Sequence, residues 1–442
     1  MIILGAGESG VGAAILAAKK GYAVFVSDAG KIGAEYKKEL ESHGIEYEEG
    51  THSAERILGG DEVMKSPGIP EKSSLIKQIR SQGIPVISEI ELAYRYKGTS
   101  RIVGITGSNG KTTTTSLVYH ICKQGGLDCA LVGNIGISMA KQVAEDPKEW
   151  YIVEISSFQL DDIQTFRPDI AILTNITEDH LDRYEYRFEN YIKSKFSIVK
   201  NQTATDYFIY CADDPVINKN VDKYSFQSNP LPYTMQQEPN QGGFIKNGQM
   251  NVQAGSETLR MSIYDFALKG IHNQYNTLAA GLAAVTIGIR KEKIREAVQS
   301  FESLEHRMEF VSTVRGVEFI NDSKATNVNS TWFALESMQK PVILILGGID
   351  KGNDYSLIRE LIKEKVKAIV CMGTDNRKIH EAFQNDVSVI VNTGSAREAV
   401  KSSFHLADKG DVVLLSPSCA SFDLFKNYED RGKQFKEAVR DL

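Results

Sequence analysis

The sequence predicts an α/β protein of three successive units, and three observations carry that prediction. Short apolar runs end in glycine- or hydroxyl-rich turns, helical periodicity follows the turns, and two of the turns are glycine loops suited to phosphate. The first loop is Gly5-Ala6-Gly7-Glu8-Ser9-Gly10; the second lies within Arg101–Ser116, RIVGITGSNGKTTTTS. The expected division is a Rossmann-like nucleotide unit over 1–97, a P-loop ATPase unit over 98–303 with a small antiparallel appendage, and a Rossmann-like unit over 304–442.

In the first unit, Ile2-Ile3-Leu4 reads as a strand, and the helix after the loop has Val11, Ala14, Ile15 and Ala18 on one face. A second strand over 22–27 stops at Asp28, where a dinucleotide fold places its ribose-binding acid. A third strand, from Glu62, ends in the turn Ser66-Pro67-Gly68, expected beside the glycine loop. GxGxxG suits any nucleotide diphosphate, NAD included, and glycines of this spacing also serve close helix–strand packing.

The middle unit carries the stronger signal. A strand through Ile102, Val103 and Ile105 meets the loop Gly107-Ser108-Asn109-Gly110, and Lys111-Thr112-Thr113 opens a helix. Such loops let backbone N–H groups approach an anion, Lys111 is placed for the outer phosphates, and the Thr112 hydroxyl for Mg²⁺. The spacing departs by one place from GxxxxGK[ST], because position 105 is Ile. Further apolar strands end at Glu154 and, after 170–173, at Asn175 and His180. Three strand ends therefore bring Lys111 and Thr112, Glu154, and Asn175 with His180 to one sheet edge, where a carboxylate suits Mg²⁺. The polar stretch 225–262 contains an Asn247-Gly248 hairpin signal, and a helix with Leu278, Leu282 and Val285 follows.

In the last unit, apolar strands end in Asn321-Asp322-Ser323-Lys324, in Gly347-Gly348-Ile349-Asp350-Lys351 and in Ser416-Pro417-Ser418-Cys419. Helical patterns between them predict a parallel sheet. No glycine phosphate loop is present, and lysines with hydroxyls at strand exits suit a small carboxylate; Lys324 and Lys351 are equally readable as surface charges.

Composition narrows the functions. The 442 residues are 42% hydrophobic and 24% charged, with net charge −6, which fits a small anionic ligand in a locally positive site and not a polyanion surface. Five scattered cysteines without a CxxC pair suggest free thiols in a reducing compartment. No signal segment or membrane-length apolar run is read, so a cytoplasmic protein is expected. Two nucleotide-type units followed by an anion-binding unit suggest a ligase. Bringing a carboxylate to a γ-phosphate costs about 4 kcal/mol per pair of unit charges at ~4 Å and an effective dielectric of ~20. Lys111 and Mg²⁺ would offset it.

The segments GITGSNGKTTT, EISSFQL, TNITEDHLDRY, HRME, NDSKATN, LGGIDKG and LSPSCASFD resemble the Mur ligase family along the whole chain. SSFQL, EDHLDRY and NDSKATN resemble its D-glutamate-adding branch. The resemblance implies the three-domain Mur ligase architecture, ATP, the substrates UDP-N-acetylmuramoyl-L-alanine and D-glutamate, an acyl-phosphate intermediate, two Mg²⁺ ions and a monomer. It places Ser9, Asp28 and Gly68 at uracil and diphosphate, and Asn134, Ser156 and Gln159 at the muramoyl-alanyl part. It places Asn273, Asn276, Arg307 and Asp322 at ATP, with His306 near adenine. Lys324, Thr326, Lys351, Ser421, Phe422 and Tyr428 would position D-glutamate, and Thr112, Glu154, His180 and Lys195, the last as a carbamate, would hold metal. Ala29-Gly30 departs from the polar or basic residues frequent after the uracil-site acid. Another ligase of this kind, or a binding module without turnover, are the competing readings; the accepted amino acid and ATP hydrolysis separate them.

Overall fold

Three sheets organise the chain, and their central strands are the apolar runs of the sequence, covered by helices on both faces. The computed structural model describes residues 1–442 apart from 225, 302–304 and 351. Contacts divide the chain into one unit of Met1–Lys269 with Asn273–Phe301 and a second of Gly270–His272 with Glu302–Leu442.

The first unit holds two sheets. In the first sheet, β1 (Ile2–Leu4), β2 (Phe25–Asp28), β3 (Glu46–Glu49), β4 (Val63–Lys65) and β5 (Val86–Ile87) are parallel in the order β3-β2-β1-β4-β5. The strand read as third from the sequence is thus the fourth, and β2 begins at Phe25, three residues later than expected. The central sheet contains β6 (Arg101–Thr106), β7 (Cys129–Gly133), β8 (Trp150–Glu154), β9 (Ile170–Leu173), β10 (Tyr207–Cys211), β11 (Asn229–Thr234), β12 (Gly242–Lys246), β13 (Gln249–Ala254) and β14 (Glu257–Ser262). Their order is β14-β13-β12-β11-β10-β9-β6-β8-β7. The expected antiparallel strands exist, but as the edge of this sheet: β12 pairs parallel with β11 and antiparallel with β13. Asn247 (φ 50°) and Gly248 (φ 72°) form the hairpin turn, both left-handed as a two-residue turn requires.

One continuous core joins Ile3, Ala14 and Ile90 around the first sheet to Val103, Ile152 and Leu173 of the second. Buried polar groups fasten the same junction. Lys65 lies 3.0 Å from Asp162 and 2.8 Å from Glu71. The Glu91 carboxylate accepts the N–H groups of Gln164, Thr165 and Phe166 at 2.8–2.9 Å. Such groups are costly to bury singly and hold a junction only when matched.

The second unit contains β15 (Glu309–Val314), β16 (Val317–Asn321), β17 (Val342–Leu346), β18 (Val366–Met372), β19 (Ile390–Thr393) and β20 (Val412–Leu415), in the order β15-β16-β20-β17-β18-β19. The parallel sheet expected here is mixed, because β15 pairs antiparallel with β16 across a tight turn at Arg315-Gly316. β17 and β20 are buried at every residue, each side chain contributing roughly 1.5–3 kcal/mol when fully covered. The expected boundary at 303/304 lies outside the described residues.

Candidate active site

The phosphate loop joins β6 to the helix Lys111–Gln124. At two of its glycines a side chain would displace a neighbour and strain a left-handed backbone. A Cβ on Gly107 (φ 149°) would stand 2.0 Å from Thr174 Oγ1, and one on Gly110 (φ 80°) 2.5 Å from Asn276 Oδ1. Gly104 lies within β6, where it makes room for Ile155 and Pro168 instead of shaping the loop.

The end of β9 braces the loop. Asn175 accepts Ser108 N–H on its carbonyl at 2.9 Å and Asn109 N–H on Oδ1 at 2.8 Å. Its own Nδ2 donates to Asn109 O at 3.0 Å, and Thr174 Oγ1 donates there at 2.6 Å. The Ser108 hydroxyl donates to Thr177 O at 2.9 Å and sits 3.0 Å from Tyr191 Oη. Ser108 and Asn109 are therefore framework of the loop as well as members of it.

Two lysines converge on one carbonyl. Lys111 Nζ donates to Gly107 O at 2.7 Å and to Ser108 O at 2.8 Å. Lys195, on the helix Phe188–Phe196, donates to the same Gly107 O at 2.9 Å and to Thr106 Oγ1 at 3.1 Å. Lys195 is 2% exposed, and burial, reinforced by the neighbouring Lys111, holds its pKa well below the usual lysine range; Asp179, Asp161 and Glu154 oppose this. Burial thus favours the free-amine form of Lys195 beside the phosphate loop.

The adjoining strand exits supply oxygen and nitrogen donors. Glu154 ends β8, is buried, and accepts Asn134 Nδ2 at 2.9 Å on Oε1. His180 is left-handed (φ 54°), stands 3.6 Å from Asp179 Oδ2, and meets the Phe158 ring edge-on at 5.1 Å. Thr112 and Thr113 are buried in the first turn after the loop. No cluster of three His, Cys, Asp or Glu side chains forms a closed metal cage among the described residues. A hydroxyl, a carboxylate and an imidazole beside a phosphate loop still fit Mg²⁺, which keeps waters and phosphate oxygens as ligands. A charged Lys195 would not fit beside it; a neutral or anionic one does. Beside the loop, Asn276 Oδ1 accepts Thr114 Oγ1 at 3.2 Å, and its Nδ2 donates to Asn273 Oδ1 at 3.2 Å, the two residues expected at ATP.

In the first sheet, the glycine loop is held by Asp28. Its Oδ2 accepts Ala6 N–H and its Oδ1 Gly30 N–H, both at 2.7 Å. The residue expected at uracil thus also ties the loop to the turn after β2. Ser9 lies in the first turn of the helix Glu8–Lys19, and Ser66 packs against Gly5 as expected of the 66–68 turn. Ser156 and Gln159 form a capping box on the short helix Ser157–Leu160, Ser156 N–H donating to Gln159 Oε1 at 2.9 Å.

In the second unit, Asp322 is buried, accepts Ser416 Oγ on Oδ2 at 2.9 Å and Met308 N–H on Oδ1 at 3.3 Å, and burial pushes its pKa up to about 7 against the pull of Arg307. His306 accepts Asn321 Nδ2 on Nδ1 at 2.9 Å, with a left-handed backbone (φ 64°). Lys324 lies 5.3 Å from the centre of the Tyr428 ring, and Thr326 N–H donates to Lys324 O at 2.9 Å. Ser421 is buried and Phe422 69% exposed; Lys351 lies outside the described residues. Sequence reasoning missed Arg431, which is 1% exposed and binds Ser323 through Nε (2.9 Å, to Oγ) and Nη2 (2.7 Å, to O), and Cys419 O through Nη1 at 3.1 Å. It joins two strand-exit loops. Its signal was available: an arginine on the apolar stripe of Phe435 and Ala438.

Comparisons with known proteins agree along the whole chain. The MurD N-terminal domain profile matches residues 1–75, the Mur ligase middle domain 105–284, and the Mur ligase glutamate ligase domain 306–419. The UDP-N-acetylmuramoylalanine–D-glutamate ligase of Christiangramia forsetii is 52% identical over 442 residues, covering 100% of this chain and 99% of that one. The protein of the same name from Bacteroides fragilis is 52% identical over 444 residues, with coverage of 100% and 99%. Among solved structures, UDP-N-acetylmuramate-alanine ligase MurC from Thermotoga maritima is 16% identical with a TM-score of 0.63, covering 100% and 99%, a likeness of fold.

Proposed function

This chain belongs to the Mur ligase family, and we propose a division of labour among its loops for the reaction named by its D-glutamate-adding relatives. Its function is that of a UDP-N-acetylmuramoylalanine–D-glutamate ligase in peptidoglycan precursor synthesis. The observation that carries the assignment of roles is the convergence of Lys111 and Lys195 on Gly107 O beside the Glu154 and His180 strand exits.

In this reading the loop of residues 107–113 holds ATP, with Asn273, Asn276, His306, Arg307 and Asp322. The first-sheet crevice holds the UDP moiety at Ser9, Asp28 and Gly68, and Asn134, Ser156 and Gln159 meet the muramoyl-alanyl part. The alanyl carboxylate attacks the γ-phosphorus and ADP leaves, giving an acyl phosphate. The D-glutamate amine, positioned by Lys324, Thr326, Lys351, Ser421, Phe422 and Tyr428, then attacks the acyl carbon, loses a proton, and expels phosphate. Lys111 neutralises charge on the transferring phosphoryl group. Mg²⁺ held by Thr112, Glu154 and His180 supplies further charge neutralisation when bound.

Lys195 completes the set as a carbamate. Its free amine forms an N–C bond to CO₂ and releases a proton to solvent, turning a side chain that repels a cation when protonated into an anionic oxygen ligand. The depressed lysine pKa supports this step, because only the free amine reacts. A monomeric, cytoplasmic enzyme is part of the same proposal. Among the described residues no helix is long and apolar enough to cross a membrane.

The test is phosphate release with ATP, Mg²⁺ and UDP-N-acetylmuramoyl-L-alanine, scanning D-glutamate against L-glutamate, L-lysine and meso-diaminopimelate. Release confined to D-glutamate, with a product heavier by one glutamyl residue, is expected. Release with another amino acid would move the chain to another branch.

A further inference from the structure

The turn Ser66–Pro70, which ends β4 of the first sheet, is pinned by a side chain from the central sheet. Arg183 follows His180 in a single 3₁₀ turn, its N–H donating to His180 O at 2.9 Å. Its guanidinium crosses to the first sheet, where Nη2 donates to Pro67 O at 3.0 Å and to Ile69 O at 3.2 Å, and Nη1 to Gly68 O at 3.4 Å. The same guanidinium lies over the Phe158 ring, 4.3 Å from its centre. Phe158 in turn meets His180 edge-on at 5.1 Å and stacks on Tyr184 at 6.0 Å. Three strand exits, those of β4, β8 and β9, therefore meet on one planar cation.

We propose that Arg183 is a positioning residue that sets the register between the sugar-nucleotide turn at Gly68 and the helix carrying Phe158, whose neighbours Ser156 and Gln159 meet the reacting end of the same substrate. The proposal rests on the functional reading above, in which one substrate spans both places. The chemistry explains the residue type. Three successive carbonyls form a fixed row, and a planar fork can bind them while its face stays on an aromatic ring; an ammonium cannot do both. Because the substrate is anchored at one end and reacts at the other, a small slip between the two turns displaces the carboxylate from its line of attack.

The arrangement separates from ordinary structural bonding in its kinetics. Arg183→Ala should raise the KM for UDP-N-acetylmuramoyl-L-alanine and lower kcat, together reducing kcat/KM for that substrate about 10- to 100-fold. The KM values for ATP and D-glutamate should stay within about twofold, because their proposed contacts do not include the 66–70 turn. Arg183→Lys should behave like the alanine variant. Phe158→Leu, which removes the ring beneath the guanidinium but not its carbonyl partners, should show the same pattern with a smaller change, and serves if Arg183→Ala does not fold. The wild-type enzyme, assayed in parallel, must release phosphate in a D-glutamate-dependent way; failure there overturns the functional reading itself. With an active wild type, an unchanged KM for the sugar nucleotide in folded Arg183→Ala would overturn the positioning role. So would full activity in Arg183→Lys, which would reduce the residue to a charge, or equal rises in all three KM values.

Discussion

The two glycine loops look alike as sequence and differ as structures. The first is held from within its own sheet: Asp28 on β2 takes the N–H groups of Ala6 and Gly30, and a Cβ on Gly10 would fall 1.8 Å from Gly5 O. The second is held from a neighbouring strand, by Thr174 and Asn175 after β9, and two lysines reach its Gly107 carbonyl. Glycine spacing marks where backbone comes close to an anion or to itself. The side chains that arrive from elsewhere decide whether the loop only holds a ligand or also does chemistry.

That contrast can be broken at several points. The largest effect is expected at Lys195. Lys195→Ala should lose at least about 1,000-fold in kcat, with partial recovery on adding a small carboxylate such as formate. Undiminished activity would mean that the second loop needs only Lys111.

Next comes a matched pair of glycine substitutions. Gly10→Ala sets a methyl against backbone, so unfolding should be easier by about 3 kcal/mol, read by denaturant titration. Gly107→Ala displaces the Thr174 hydroxyl that clamps the loop, and should cost ligase activity more than stability. Equal effects of the two on activity and stability would erase the distinction.

A pH effect is expected near the first loop. Glu89 is buried, accepts Ser138 Oγ at 2.7 Å and Ala140 N–H at 2.6 Å, and is pushed up to about 7, by burial first; Glu8 of the glycine loop also raises it while accepting Ser138 N–H at 3.0 Å. A raised carboxyl pKa means that the folded state binds the extra proton between the unfolded value near 4.5 and about 7. Its contribution to stability is therefore complete below about 4.5, declines as pH rises to about 7, and is constant above, by no more than about 3 kcal/mol. Glu89→Gln should flatten that slope in unfolding titrations, whereas a slope that persists would place its origin elsewhere.

The smallest change is expected from Asn175→Ala, which removes Oδ1 and Nδ2 from the second loop but leaves the backbone carbonyl bond to Ser108. A roughly tenfold rise in the KM for ATP with a modest drop in melting temperature is the expected outcome. A wild-type KM would show that the remaining anchors suffice.

What the sequence revealed follows the same division between local and arriving residues. The continuous runs of β17 and β20 and the hairpin at Asn247-Gly248 are legible because burial on both faces, or a turn requiring positive φ, leaves a local trace. Four of the strands that escaped notice, β3 (EYEE), β5 (VI), β15 (EFVSTV) and β19 (IVNT), lie at sheet edges, where half-covered strands are short or carry mixed residues; β10 (YFIYC) escaped too, although it lies inside the central sheet. In the site, Lys111, Glu154 and His180 could be placed because each ends or follows an apolar strand. The bracing by Asn175, the strap of Arg183 and the clamp of Arg431 depend on partners 66 to 116 positions away, which no local pattern encodes.

The central proposal is that Lys195, as a free amine, takes up CO₂ beside the second loop. Carbon-13 NMR of active enzyme equilibrated with labelled bicarbonate tests it most directly. A carbamate carbon signal present in the wild type and in Lys111→Ala, and absent from Lys195→Ala, is predicted. An active enzyme with no such signal, or one that keeps it in Lys195→Ala, would contradict the assignment.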